Sequence, residues 1–83
     1  MSPEVKLRQL GEGKFFVEVP KEGDPAKVMA DTVRFLRATK EEVLTAELRE
    51  GGFRIEVIQK EGTFSALVSA ATNALEWIGI GSG

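Results

Sequence analysis

Carboxylates and glycines stand at the only spacings in this chain that could carry chemistry, and each group is only as useful as the element that holds it. Glu41 and Glu42 are adjacent. Two carboxylates clamp a hard cation when both reach the same side, but neighbours on a strand point to opposite faces. Glu18 and Glu56 recur at matching places in two similar segments. Acid–base work by such a pair needs one member shifted by burial or a close partner. On an outer sheet face, flanked by Lys14 and Arg54, both read as solvated charge. Gly11-Glu12-Gly13 has the look of a phosphate loop, yet it lacks the Gly-Lys-Ser/Thr ending and a strand follows it instead of a helix. It reads as a hairpin turn. Gly79-Ile80-Gly81 comes after a helical stretch, where no helix N-terminus receives an anion. Phe16 among Lys6, Arg8 and Lys14 resembles sheets that stack single-stranded bases. A lone aromatic diluted by Glu4 and Glu18 reads as a solvated face.

Composition removes most other chemistry. The chain has no cysteine and no histidine. Disulfides, thiolate metal sites and Ser–His or Cys–His nucleophiles are therefore excluded. The net charge is −2 with no block of one sign, so no nucleic-acid partner is expected. No apolar run approaches the ~20 residues of a membrane span, and Met1-Ser-Pro-Glu4 does not begin a signal peptide. No metal, cofactor or small-molecule ligand is indicated. The expectation is a soluble chain without a targeting signal, compatible with cytoplasmic expression, and not an enzyme.

The elements follow from hydrophobic period. Residues 4–10 alternate Val5 and Leu7 with Glu4, Lys6 and Arg8, the pattern of a half-buried strand. Residues 14–20 do the same with Phe15, Val17 and Val19. A three-residue loop, Gly11-Glu12-Gly13, opposes Leu7 to Val17 and Val5 to Val19, whereas a two-residue loop would put Arg8 and Lys6 on the apolar face. Asp24-Pro25 starts a helix over 25–38, with aspartate as cap and proline at the first helical position. Its apolar arc holds Val28, Met29, Val33, Phe35 and Leu36, with Lys27, Asp31, Arg34 and Arg37 opposite.

Residues 39–50 carry two conflicting signals. Thr39-Lys-Glu-Glu42 fits a helix capping box and Gly51-Gly52 a helix stop. Against this, residues 10–19 and 48–57 share six identities in ten positions, and the alignment puts Val43–Leu48 over a strand. The repeat favours a strand. With Gly51-Gly52 as turn, Leu48 opposes Ile55 and Ala46 opposes Val57, and Leu44, Ala46, Leu48, Phe53, Ile55 and Val57 share a face. Leu10, Phe16, Val43 and Ile58 fall on the outer face. Residues 53–59 form a strand. Residues 63–78 form a helix with Thr63 as N-cap and Gly79 as its end.

The expected architecture is α+β, a β-β-α-β-β-α pseudo-repeat. It gives a four-stranded, mostly antiparallel sheet with two helices on one face. Residues 1–78 make one domain, with pseudo-repeats 4–38 and 42–78. Residues 79–83 read as a flexible tail of the kind appended for expression.

The two helices differ sharply. Residues 24–38 hold five charged side chains, whereas 63–80 hold only Glu76. An exposed helix usually carries Lys, Glu and Arg on its polar side. Small uncharged groups beside a wide apolar arc suit a surface that meets another protein. The candidate interface is Ser65, Ser69, Thr72, Asn73, Glu76, Trp77 and Ile80, and the expected partner is a second copy of the chain, a dimer being simplest. A foreign protein or peptide on the same helix is the alternative.

Ser2-Pro3-Glu4, the Lys-Glu-Gly turns at 21–23 and 60–62, Asp24-Pro25 after a glycine, the Glu-Val alternation and the closing Gly-Ser-Gly resemble a computationally designed protein. The charge-poor helix 63–78 departs from that style. The resemblance implies a protein made to adopt a structure or an assembly, with no evolved substrate and no natural biochemical activity.

Overall fold

The computed structural model describes the backbone of residues 6–81 and the side chains of residues 6–75. The elements in chain order are β1 (Lys6–Gly11), β2 (Lys14–Glu18), α1 (Pro25–Ala38), β3 (Val43–Arg49), β4 (Gly52–Val57) and α2 (Thr63–Gly81). The strands form one sheet in the order β1-β2-β4-β3, and every neighbouring pair is antiparallel. This is the β-β-α-β-β-α order of an α+β domain.

Strand alternation builds the core. Phe15 and Val17 of β2 and Phe53 and Ile55 of β4 point inward and are fully buried. Both helices cover this face, with Val28, Thr32 and Leu36 from α1 and Leu67, Ala70, Ala71, Ala74 and Leu75 from α2 in the same apolar cluster. Burying a large apolar side chain stabilises by about 1.5–3 kcal/mol, so these four fully buried residues form the centre of the fold. Thr32 is the polar member that period alone did not place there. Its hydroxyl donates to Val28 O at 2.7 Å, which satisfies it inside the core.

The central pairing has an internal two-fold. Phe15 pairs with Ile55 and Val17 with Phe53. The sequence repeat aligns Phe15 with Phe53 and Val17 with Ile55. Exchanging the two repeats therefore exchanges these pairs, while Phe16↔Arg54 maps onto itself. Two bonds obey the same operation: Val19 N–H donates to Gly51 O at 3.0 Å, and Val57 N–H to Gly13 O at 2.8 Å.

Within 39–50, residues Val43–Arg49 form a strand, as the repeat indicates. The end of α1 accounts for the competing helix signal. Thr39 closes α1 with its backbone amide and its hydroxyl, and Lys40 turns away at φ 66. The capping-box residues thus lie just past a finished helix.

Three local details differ from the sequence reading. The first hairpin keeps Leu7↔Val17, but Gly11 pairs with Lys14 across a two-residue turn, and a β-bulge at Leu10 absorbs the extra residue. A bulge reverses the register parity that a two-residue loop alone would impose. Gly13 supplies the positive φ, 73°. Val5 lies outside the described residues. In the second hairpin, Glu50-Gly51 is the turn, so Leu48 faces Phe53 and Ala46 faces Ile55. Gly51 supplies the positive φ of 85°, and Gly52 is left in the strand. The slip is two residues, which preserves the faces. A second bulge at Leu44 leaves that side chain 54% exposed and turns Val43 onto the core. Leu44 therefore leaves the inner face and Val43 leaves the outer one.

Candidate functional site on the second helix

The start of α2 is tied to the turn that precedes β3. Gly62, at φ 87, accepts the first helical bond through its carbonyl, from Ala66 N–H at 2.9 Å. Gly62 is thus the cap, and Thr63 is the first helical residue. The Thr63 hydroxyl has a different task. It accepts from Lys60 N–H at 2.9 Å and donates to Glu41 Oε1 at 3.1 Å. Glu41 Oε2 also lies 4.0 Å from Lys60 Nζ. A carboxylate near a helix N-terminus is favoured by the unpaired amides there. Glu41 turns to α2 while Glu42 is exposed, so the adjacent pair forms no clamp.

The inner arc of α2 is consumed by the fold. Leu67, Ala70, Ala71, Ala74 and Leu75 are buried, and α1 packs alongside. The outer arc carries the predicted interface positions. Ser65, Ser69 and Asn73 are exposed, and Thr72 is half-buried beside them. These four recur at helical spacing, so the structure brings them onto one uncharged face. Glu76, Trp77 and Ile80 lie in the helical backbone, but their side chains are outside the described residues. The backbone stays helical through Gly81, past the stop expected at Gly79. A glycine inside a helix costs only about 1 kcal/mol and does not by itself end one. Of the tail expected at 79–83, residues 82 and 83 are outside the described residues.

Apolar side chains reach this face from its N-terminal end. Phe64 remains 49% exposed although its ring meets Phe15 at 6.1 Å between centroids, and Val68, one turn on, is half-buried. A position in the first turn of α2 thus leaves a large apolar ring beside solvent. Asp31 of α1 also departs from expectation. It sits on the solvent arc by period, yet its side chain is 13% exposed and its Oδ2 is buried without a hydrogen-bond partner.

Other groups singled out earlier stay apart from α2. On the outer sheet face, Lys6 pairs with Glu18 and Lys14 with Glu56, so the charges alternate. The Arg8 guanidinium lies 5.7 Å from the Phe16 ring centre and covers the aromatic that a stacked base would need. Among the described residues no group of three or more His, Cys, Asp or Glu is placed to hold a metal ion. No helix among them is long and apolar enough to cross a membrane. Among the described residues, the outer-arc positions Ser65, Ser69, Thr72 and Asn73 carry hydroxyls and an amide and no titratable group. What these groups and the Phe64 ring can do is pack against and hydrogen-bond to a second surface. No protein-family model, curated protein or solved structure matches the chain.

Proposed function

We propose that this chain is a non-catalytic structural domain that associates with a second copy of itself through the outer face of α2. The observation that carries the reading is the composition of that face. Ser65, Ser69, Thr72 and Asn73 present small uncharged groups, and the half-exposed Phe64 stands at their N-terminal end. Two such helices approach closely across a two-fold axis with no charge among these four positions, and closed two-fold dimers are the commonest assembly. The design-like style of the sequence fits a chain made for its fold and its association, with no substrate.

Sedimentation velocity across a micromolar concentration series tests this. A concentration-dependent dimer is expected, and Ser65→Lys with Ser69→Lys should weaken it at least tenfold. Both positions are exposed, so the substitutions leave the fold within about 0.5 kcal/mol. A strict monomer, or a dimer indifferent to both lysines, overturns the reading. Phe64 and Val68, one turn apart, also favour a second one: they have the i, i+4 spacing by which a groove receives an amphipathic partner helix. A monomer that binds a foreign protein or peptide, and loses it on Ser69→Lys, would establish that alternative.

A further inference from the structure

The two halves of this chain meet through surfaces that are copies of each other. β2 and β4 pair about the self-mapped Phe16↔Arg54 position, and the bonds Val19 N–H to Gly51 O and Val57 N–H to Gly13 O exchange under the same two-fold. The core is shared across that axis, since Phe15 and Val17 come from one half and Phe53 and Ile55 from the other. Each ββα half is shorter than about 40 residues, a size that rarely sustains a core unaided. A half must therefore find a partner half, and nothing in the contact itself requires that partner to be in the same chain. Only the link Thr39–Glu42 imposes this. That link is tight: Lys40, φ 66, is the one non-glycine residue with positive φ among the described residues. Short hinge loops under strain favour exchange between copies.

We infer that two copies of this chain exchange ββα halves. The unit 6–38 of each copy would pair through β2 with β4 in the unit 43–81 of the other. The exchanged dimer repeats the contacts between the halves and releases the turn at Lys40 together with its bonds, Lys40 N–H to Arg37 O and Glu41 N–H to Leu36 O. Because exchange requires the halves to separate, its extent is set by chain concentration during folding, not afterwards. This inference does not rest on association through α2.

Phe16 and Arg54 provide the test. Bonds at Val19/Gly51 and Val57/Gly13 place Phe16↔Arg54 at a non-hydrogen-bonded position, where the Cα atoms of a pair are about 4.5 Å apart. The chain has no cysteine, so Phe16→Cys with Arg54→Cys introduces a single cross-link position. This variant is refolded from denaturant at about 10 μM and about 1 mM, a span that rises to the millimolar effective concentration a short flexible link gives two joined partners. It is then oxidised, fractionated by size and run on non-reducing denaturing gels. The expected result is a dimer fraction that rises at least fivefold with refolding concentration, with its chains covalently joined. The monomer fraction should carry the cross-link within one chain. Lys40→Gly, which removes the positive-φ penalty, should lower the dimer fraction roughly tenfold, and Lys40→Val should raise it. Dimers whose chains separate on the denaturing gel are joined by another surface, α2 included, and overturn the inference. So does a chain that stays monomeric at every refolding concentration, or a dimer fraction unmoved by either Lys40 substitution. The same series with the natural Phe16 and Arg54, read by size alone, covers failure of the cysteine variant to fold. There a dimer fraction independent of refolding concentration overturns the inference.

Discussion

Gly51 and Gly52 are adjacent, and replacing each by alanine separates two different physical costs. At Gly51 the backbone has φ 85 and an added Cβ would meet nothing within 4 Å. The cost of Gly51→Ala is purely conformational, about 1 kcal/mol. Gly52 sits in β4 opposite Glu18 with no positive φ. A Cβ there collides with Val17 O and lies 3.0 Å from Val17 C and 3.1 Å from Glu18 Cα. All three are backbone atoms of a central strand, so no side-chain rotation relieves the clash, and β2 and β4 must part at this end. Parting them breaks the bond from Val19 N–H to Gly51 O and leaves a buried amide unpaired, about 1–3 kcal/mol. It also disturbs the contact of fully buried Val17 and Phe53, a misfit of about 1–3 kcal/mol. Gly52→Ala is therefore expected to cost about 2–6 kcal/mol, a large share of the roughly 5–15 kcal/mol of a small domain. With a urea slope near 1 kcal/mol/M, the midpoint falls by about 2 M or more for Gly52→Ala and by about 1 M for Gly51→Ala. Urea titration followed by far-ultraviolet circular dichroism reads both. If Gly52→Ala falls no further than Gly51→Ala, the claimed approach of Val17 to β4 is wrong.

Asp31→Leu should stabilise the domain by about 1 kcal/mol and raise the unfolding temperature by roughly 4–8 °C, because it removes a buried carboxylate oxygen that has no partner. Scanning calorimetry measures this, and a lowered transition would refute it. Glu41→Ala should cost about 1–2 kcal/mol by removing the acceptor for the Thr63 hydroxyl and the contact to Lys60, while Glu41→Gln, which keeps an acceptor, should lose less than half of that. Equal losses in thermal unfolding would contradict the geometry at the start of α2.

Period and repeat revealed the elements because burial is one-sided on each of them. Phe15, Val17, Phe53 and Ile55 alternate as strands must, and Asp24 caps α1 through Ala26 N–H at 3.1 Å as its position suggests. The second hairpin was misregistered because local turn chemistry accepts either glycine of Gly51-Gly52. Only the close approach of Val17 O, a contact between repeats, assigns Gly52 to the strand. The bulges at Leu10 and Leu44 were not legible, since an extra strand residue has no composition of its own. Thr63 was misread because a threonine at a helix start ordinarily caps it, and its actual partner, Glu41, is distant in sequence. On α2, the exposure of Ser65, Ser69 and Asn73 followed from spacing, whereas the exposure of Phe64, whose ring meets Phe15 of β2, is set by a contact distant in sequence.

The bulges at Leu10 and Leu44 fall on β1 and β3, the two outermost strands of the sheet. An outermost strand offers unpaired amides and carbonyls as a template for fibril growth, and an extra residue breaks the even spacing that a templated strand must match. Each rim of this sheet is thus interrupted once. The apolar side chains left exposed there, Leu10 at 47% and Leu44 at 54%, sit where the ladder is least able to recruit another chain. Removing either residue would straighten a rim, and seeded aggregation would then be the property most changed.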